Sequence, residues 1–263
     1  MRKSGSHDRA TPGAPAPPRA ATLPFAGDLG DLAHAELEAM AEAGKAALDC
    51  SRVLDKTGDN VVGELLRDAG TFYEWTHYPE GDVYEFETHA QYYYHAHPRD
   101  QRPGEHGHFH TFLRPGGIAR APRPARLAGN KIPMDANAAQ CHLIAIAMNE
   151  RGVATQLFTT NRWVTDETWY AAADVTGFVE RFAIELARPS YLVNRWITSM
   201  VRLFRPQIAA LLVERDRALG EWQRRHATGA ALDDRGLEVV SKLDISVEDQ
   251  VQRVAAALKR ARR

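Results

Sequence analysis

The chain has 263 residues, 44% of them hydrophobic and 25% charged, so it can bury a sizeable core. Its formal net charge of −1 removes any global basic bias toward nucleic acid or an anionic membrane surface, and no apolar run approaches the roughly 18–20 residues that cross a bilayer. Two cysteines, Cys50 and Cys141, are too few for a disulfide framework and are spaced wrongly for a paired-cysteine zinc knuckle, so reduced thiols in a cytoplasm are the simpler reading.

The first residues, MRKSGSHDRATPGAPAPPRAATLP, are positively charged but contain no apolar h-region. They read as a solvated, disordered Pro/Ala-rich tail over 1–27, ahead of a single domain over 28–263. Asp28 or Asp31 is placed to cap a helix near 31–56, whose apolar positions include Leu32, Leu37, Met40, Ala47, Leu48 and Leu54. KTGDN breaks it, and VVGELLRDAG opens a shorter helix.

From residue 71 the period changes to two. TFYEWTHY reads as a strand and PEGD as a hairpin tip, which sets Trp75 opposite Phe86 and His77 opposite Tyr84. Residues 83–97 alternate so regularly that they read as one long strand with a bend or bulge near Thr88. PRDQRPG is a polar connection, and EHGHFHTFL a further strand. Residues 114–133 form a long irregular loop carrying Arg114, Arg120, Arg123, Arg126 and Lys131. CHLIAIAM suits a strand buried on both faces, NERG a hairpin turn with Gly152 left-handed, and VATQLFTT the antiparallel return.

The pattern then becomes helical, with helices near 166–187, 191–203 and 205–226 and Pro206 in a first turn. Thr165 or Asp166 suits the cap of the first of these. GLEVVSKL is a short strand, and Ser246 caps a last helix. The class is α+β: a central antiparallel sheet over about residues 71–160, flanked by an N-terminal helical segment and a C-terminal helical half.

Five of the eleven histidines fall within residues 94–110. Side chains two apart on a strand share a face, so His95 and His97 point one way, as do His106, His108 and His110 on the next strand. Pairing His97 with His106 sets His95 opposite His108 and Tyr93 opposite His110. The other face then collects Tyr92, Tyr94, Ala96, Phe109 and Leu113, an apolar set fit for a core, and a one-residue slip would mix the two. Opposed residues have Cβ atoms about 4.5–5.5 Å apart, close enough for two imidazoles to share one ion. Glu85 and Glu87 belong to that face if the alternation holds, Glu105 points away unless a bulge turns it, and His142 is placed to join from a third strand.

An HxH pair with a nearby Glu and a later His resembles the ligand pattern of the cupin family, whose sheet sandwich holds a metal ion. The resemblance covers 93–113 alone. It departs from the pattern in that Glu105 lies eight residues beyond His97 across a proline-containing break, and in the extent of the flanking helices.

The residues therefore point to a cytoplasmic metalloprotein and to an enzyme holding a divalent ion, Zn or Fe, on the His95, His97, His106, His108 and His110 face. Tyr93 and Arg114 are the candidate substrate-binding residues, because a guanidinium fits an anionic small molecule and Tyr93 shares the histidine face. The competing readings are a non-catalytic metal- or haem-binding or sensing module, and a structural protein whose histidines face water. Cys141 and His142 alternate onto opposite faces, which argues against a nucleophile–base pair.

Overall fold

The computed structural model describes residues 29–117, 122–135, 138–226 and 229–261, with the backbone of 21–22. The tail expected over 1–27 lies outside the described residues except Ala21–Thr22 (β1), which pair in parallel with the last strand. The first helix, α1 (His34–Asp55), buries Leu37, Met40, Ala47, Cys50 and Leu54 at helical spacing. Asp31 does not cap it. Ala33 is the N-cap, and the Glu36 carboxylate reaches back to accept the Ala33 N–H at 2.8 Å. Asn60 caps α2 (Val61–Leu66) by accepting the N–H groups of Val62 and Gly63.

The remaining strands are β2 (Tyr78–Tyr84), β3 (Ala90–His95), β4 (Gly107–Leu113), β5 (Cys141–Met148), β6 (Ala154–Thr160) and β7 (Val239–Asp244). They form one sheet in the order β1-β7-β6-β5-β4-β3-β2, antiparallel apart from β1–β7. The fold is α+β with a single sheet, not the two-sheet sandwich that the cupin resemblance implies. The β5–β6 turn takes Gly152 at φ 70°, a backbone region where a side chain is costly.

The hairpin expected around residue 80 is not there. Residues 71–77 are irregular, and Trp75 sits at φ 67°. PEGD lies inside β2, where five steps from Tyr78 to Val83 match two from Tyr94 to Tyr92, so the strand bulges outward. The chain reverses instead at Phe86–Thr88, with His89 at φ 59°. The expected strand 83–97 is therefore the end of β2, a turn, and β3. Tyr84 pairs with Gln91, not His77. Glu85 and Glu87 leave the histidine face, and the Glu85 carboxylate accepts the N–H groups of Glu87 and Glu185, each at 3.2 Å.

The helix expected over 166–187 is reduced to α4 (Ala172–Val179), and a short α3 (Arg162–Thr165), capped by Asn161, precedes it. Asp166 at φ 50° ends α3, and the following residues bond to the sheet, with Thr168 donating its N–H to the Gln140 carbonyl. The later helices fall where the pattern put them: α5 (Tyr191–Leu203), α6 (Arg205–Arg225, Pro206 in its first turn) and α7 (Val247–Ala261). Ser246 Oγ accepts the Asp249 N–H at the start of α7.

Trp196 and Met200 of α5 and Ile208, Leu211 and Leu212 of α6 join Tyr92, Tyr94 and Phe109 in one core. Each such fully buried side chain contributes roughly 1.5–3 kcal/mol. Tyr92 donates its hydroxyl to Asn194 at 2.6 Å, and the Asn194 amide donates to the carbonyls of Leu186 and Arg188. One face of β3 and β4 is thereby fixed to the helices, which sets what the other face presents.

Candidate metal centre

The β3–β4 register is the one the two side-chain sets demand: His95 opposes His108, Tyr93 opposes His110, and Tyr94 opposes Phe109. His95, His108 and His110 each offer a nitrogen, and these atoms lie within 4.8 Å of one another. All three residues are buried, His110 completely. The Nε2 atoms of His95 and His108 are 2.7 Å apart, so one shares a hydrogen with the other. Zinc bonds of about 2.0–2.1 Å at tetrahedral angles hold ligand nitrogens roughly 3.3–3.4 Å apart, so a parting of about 0.6 Å admits an ion. His110 Nε2 is buried and has no hydrogen-bond partner among the described residues. A buried, unpartnered nitrogen is costly unless something occupies its lone pair.

A second ring of residues orients these imidazoles. Glu105 Oε1 lies 2.5 Å from His108 Nδ1 and is itself near Arg102. With Glu105 as the carboxylate, Nδ1–H is the donor and Nε2 turns its lone pair inward, the arrangement that commonly supports metal-bound histidine. Glu105 precedes β4 and reaches its histidine at i,i+3. His110 Nδ1 lies 3.0 Å from His142 Nε2, and the backbone N–H of His142 donates to Glu167 Oε2 at 2.9 Å.

His142 reaches this face through a bulge. Thr111 pairs with Ile144 but Phe112 pairs with His142, a one-residue shift. Without it, the alternation through Ala145 and Ala147 would place His142 on the helical side. Cys141 stays in the helix-side core, separated from His142 as expected.

Burial keeps the cluster neutral. It pushes His95 down to about 3, with further lowering from His97, His77 and Arg102. It does the same to His142, down to about 3, with help from Arg215. His108 and His110 lie well below the ordinary histidine range, through burial first and then neighbouring imidazoles. A neutral imidazole keeps the lone pair that a metal needs. Burial pushes the Glu105 carboxyl up against the pull of Arg102, and Glu167 up to about 7.

The other expected site residues fall unevenly. His97 stands beside the triad, its ring 5.0 Å from that of His95 and 5.2 Å from that of His108, with a buried Nε2 that finds no hydrogen-bond partner among the described residues. His106 does not join. It precedes β4 and turns to the helical side, where Tyr94 Oη lies 2.6 Å from its Nδ1 and Phe72 packs on its ring. Gly107 makes room for this, since a Cβ there would meet Tyr94 Oη at 2.5 Å. Tyr93 is on the face, with ring centroids 5.1 Å from His110 and 5.5 Å from His95.

Arg114 stands back from the triad. It donates Nε–H to Gln91 Oε1 at 2.8 Å and lies over the Tyr84 ring. Lys131 pairs with Asp166, and Arg120 is outside the described residues. Sequence reasoning missed Glu167 as a buried acceptor, and it also missed His77, paired with Asp82 at 3.1 Å and stacked on Tyr93. The Asp82-Gly81 bulge was read as a turn, which hid the His77–Asp82 pair, and the helix expected from 166 hid Glu167.

A hollow of about 420 Å³ at the sheet edge is lined by His97 and Glu105 along with Phe72, Tyr73, His106 and Glu150. A groove of about 930 Å³ beside α1 and α5 has no histidine in its lining. No helix among the described residues is long and apolar enough to cross a membrane. No curated protein and no solved structure matches the chain. Every residue of the triad and its supports lies within 41–245, the stretch that matches the family model described as a domain of unknown function (DUF6969), and the chain belongs to that family.

Proposed function

We propose that the chain is a metalloenzyme that holds one divalent ion, Zn or Fe, on His95, His108 and His110, and acts on a small molecule. The observation that carries this reading is the convergence of three buried, neutral imidazoles within 4.8 Å, with one Nε2 left without a partner. Three nitrogen ligands leave a coordination position open, where an ion polarises a substrate or lowers the pKa of a bound water. The hollow lined by His97 and Glu105 lies beside two neighbours of the triad. Independence from nucleic acid fits the near-neutral charge, and a cytoplasmic location fits the two free, buried cysteines.

A non-catalytic holder is the second reading, and His97 favours it. Its buried Nε2 has no partner among the described residues and its ring stands 5.0 Å from that of His95, so a fourth nitrogen is close at hand. A closed shell takes up no added ligand, whereas an open one does.

The test is elemental analysis of tag-free protein, wild type against His95→Ala/His108→Ala. Close to one ion per folded wild-type chain and almost none in the variant is the expected result. Equal metal content in the two sinks the reading.

A further inference from the structure

We propose that His77 selects the occupant of the open coordination position, and that it selects for a ligand with a hydrogen to give, such as a hydroxyl or N–H group. The inference rests on the metal reading above. It starts from a chain of side chains whose polarities are forced. Arg114 only donates, so the Gln91 oxygen faces it at 2.8 Å. The Gln91 nitrogen must then face Asp82, and its Nε2 lies 2.7 Å from Asp82 Oδ2. Asp82 Oδ1 lies 3.1 Å from His77 Nδ1. An ionised carboxylate only accepts, so Nδ1 carries the hydrogen, and in that tautomer Nε2 is an acceptor. Among the described residues nothing bonds to that Nε2.

The ring is also held in place. It stacks on Tyr93 with centroids 3.6 Å apart and planes 9° apart, and stands edge-on to His95 at 5.7 Å. Tyr93 in turn stands against His95 and His110. His77 is thus one ring's thickness from the triad, and its side chain keeps 43% exposure, which suits the mouth of a site. The backbone is bent to achieve this: Asp82 is left-handed at φ 60°, inside the β2 bulge. Such outliers persist where the surrounding structure holds them, and they gather at functional positions.

The test uses full-length protein loaded with cobalt(II) and titrated with two probes, followed by the visible spectrum of the ion. Acetohydroxamate binds metals and still has a hydrogen to donate; azide binds metals and has none. His77→Phe keeps the stack on Tyr93 and removes the acceptor. The expected result is a loss of about fivefold in acetohydroxamate affinity, no change for azide, and unchanged cobalt content. Equal loss for both probes, or loss for neither, overturns the role of His77 while leaving the metal site standing. Absence of cobalt in wild type overturns the metal reading itself, and this inference with it.

Discussion

The two faces of β3 and β4 are made by alternate residues of the same two strands and are both buried, yet they are built on opposite principles. On the helical side Tyr92, Tyr94 and Phe109 meet α5 and α6, and their polar atoms are satisfied: Tyr92 by Asn194, Tyr94 by His106. On the other side Tyr93, His95, His108 and His110 are packed against one another with the His110 Nε2 left over. The first face lowers the free energy of the fold. The second buries polar rings that bond to one another and to Glu105, with the His110 Nε2 unpartnered at a cost that hydrocarbon of the same shape would not carry. A protein that keeps such a face in its interior gains something other than stability from it.

The contrast can be broken from the helical side first. Phe109→Ala opens a cavity against Trp196 and is expected to cost about 3–5 kcal/mol in urea unfolding, while any folded fraction keeps its metal. Loss of metal from the folded fraction would mean that the faces are not separable. From the other side, Glu105→Gln leaves packing intact and removes the charge that orients His108. Metal affinity, measured by competition with a chelator, should fall about 10–100-fold, with little change in the stability of metal-free protein. Unchanged affinity would remove Glu105 from the site.

The smallest effect is a pH dependence confined to the metal-free protein. Six histidines (His95, His97, His106, His108, His110 and His142) are lowered by burial, and two carboxyls, Glu105 and Glu167, are raised. A lowered histidine contributes stability above its unfolded pKa of about 6.5 that is lost as pH falls toward the folded value. The raised carboxyls act in the opposite direction and are outnumbered. The melting temperature should therefore drop between pH 7.5 and 5.5. A flat or rising profile would show that these rings are not held neutral.

The β3–β4 register was legible because two independent patterns agreed on it: an apolar set on one side and a histidine set on the other. The α5 and α6 helices were legible for a similar reason, with long apolar stripes and Pro206 at a first turn. What escaped had no local mark. The reversal at Phe86–Thr88 uses neither glycine nor proline and falls inside an unbroken alternation, so the sequence offers nothing to distinguish it from a bend. The β5 bulge that delivers His142 is decided by pairing with β4, a relation between distant segments. His106 and Glu105 lie just before β4, where strand parity no longer governs direction, and their roles came out reversed: the histidine left the cluster and the glutamate entered it. The helix expected from 166 failed because Glu167 and Thr168 bond to the neighbouring sheet.

The three imidazoles of the triad project from two adjacent strands that are already hydrogen-bonded to each other and anchored from behind by Asn194 and the aromatic core. Strand pairing and core packing set the positions of these rings, so the metal reading proposed above implies a site formed by the fold itself, not a domain that folds only around a cation. On that reading, exchange of one metal for another is a matter of supply and competition, and the same scaffold can be compared ion by ion.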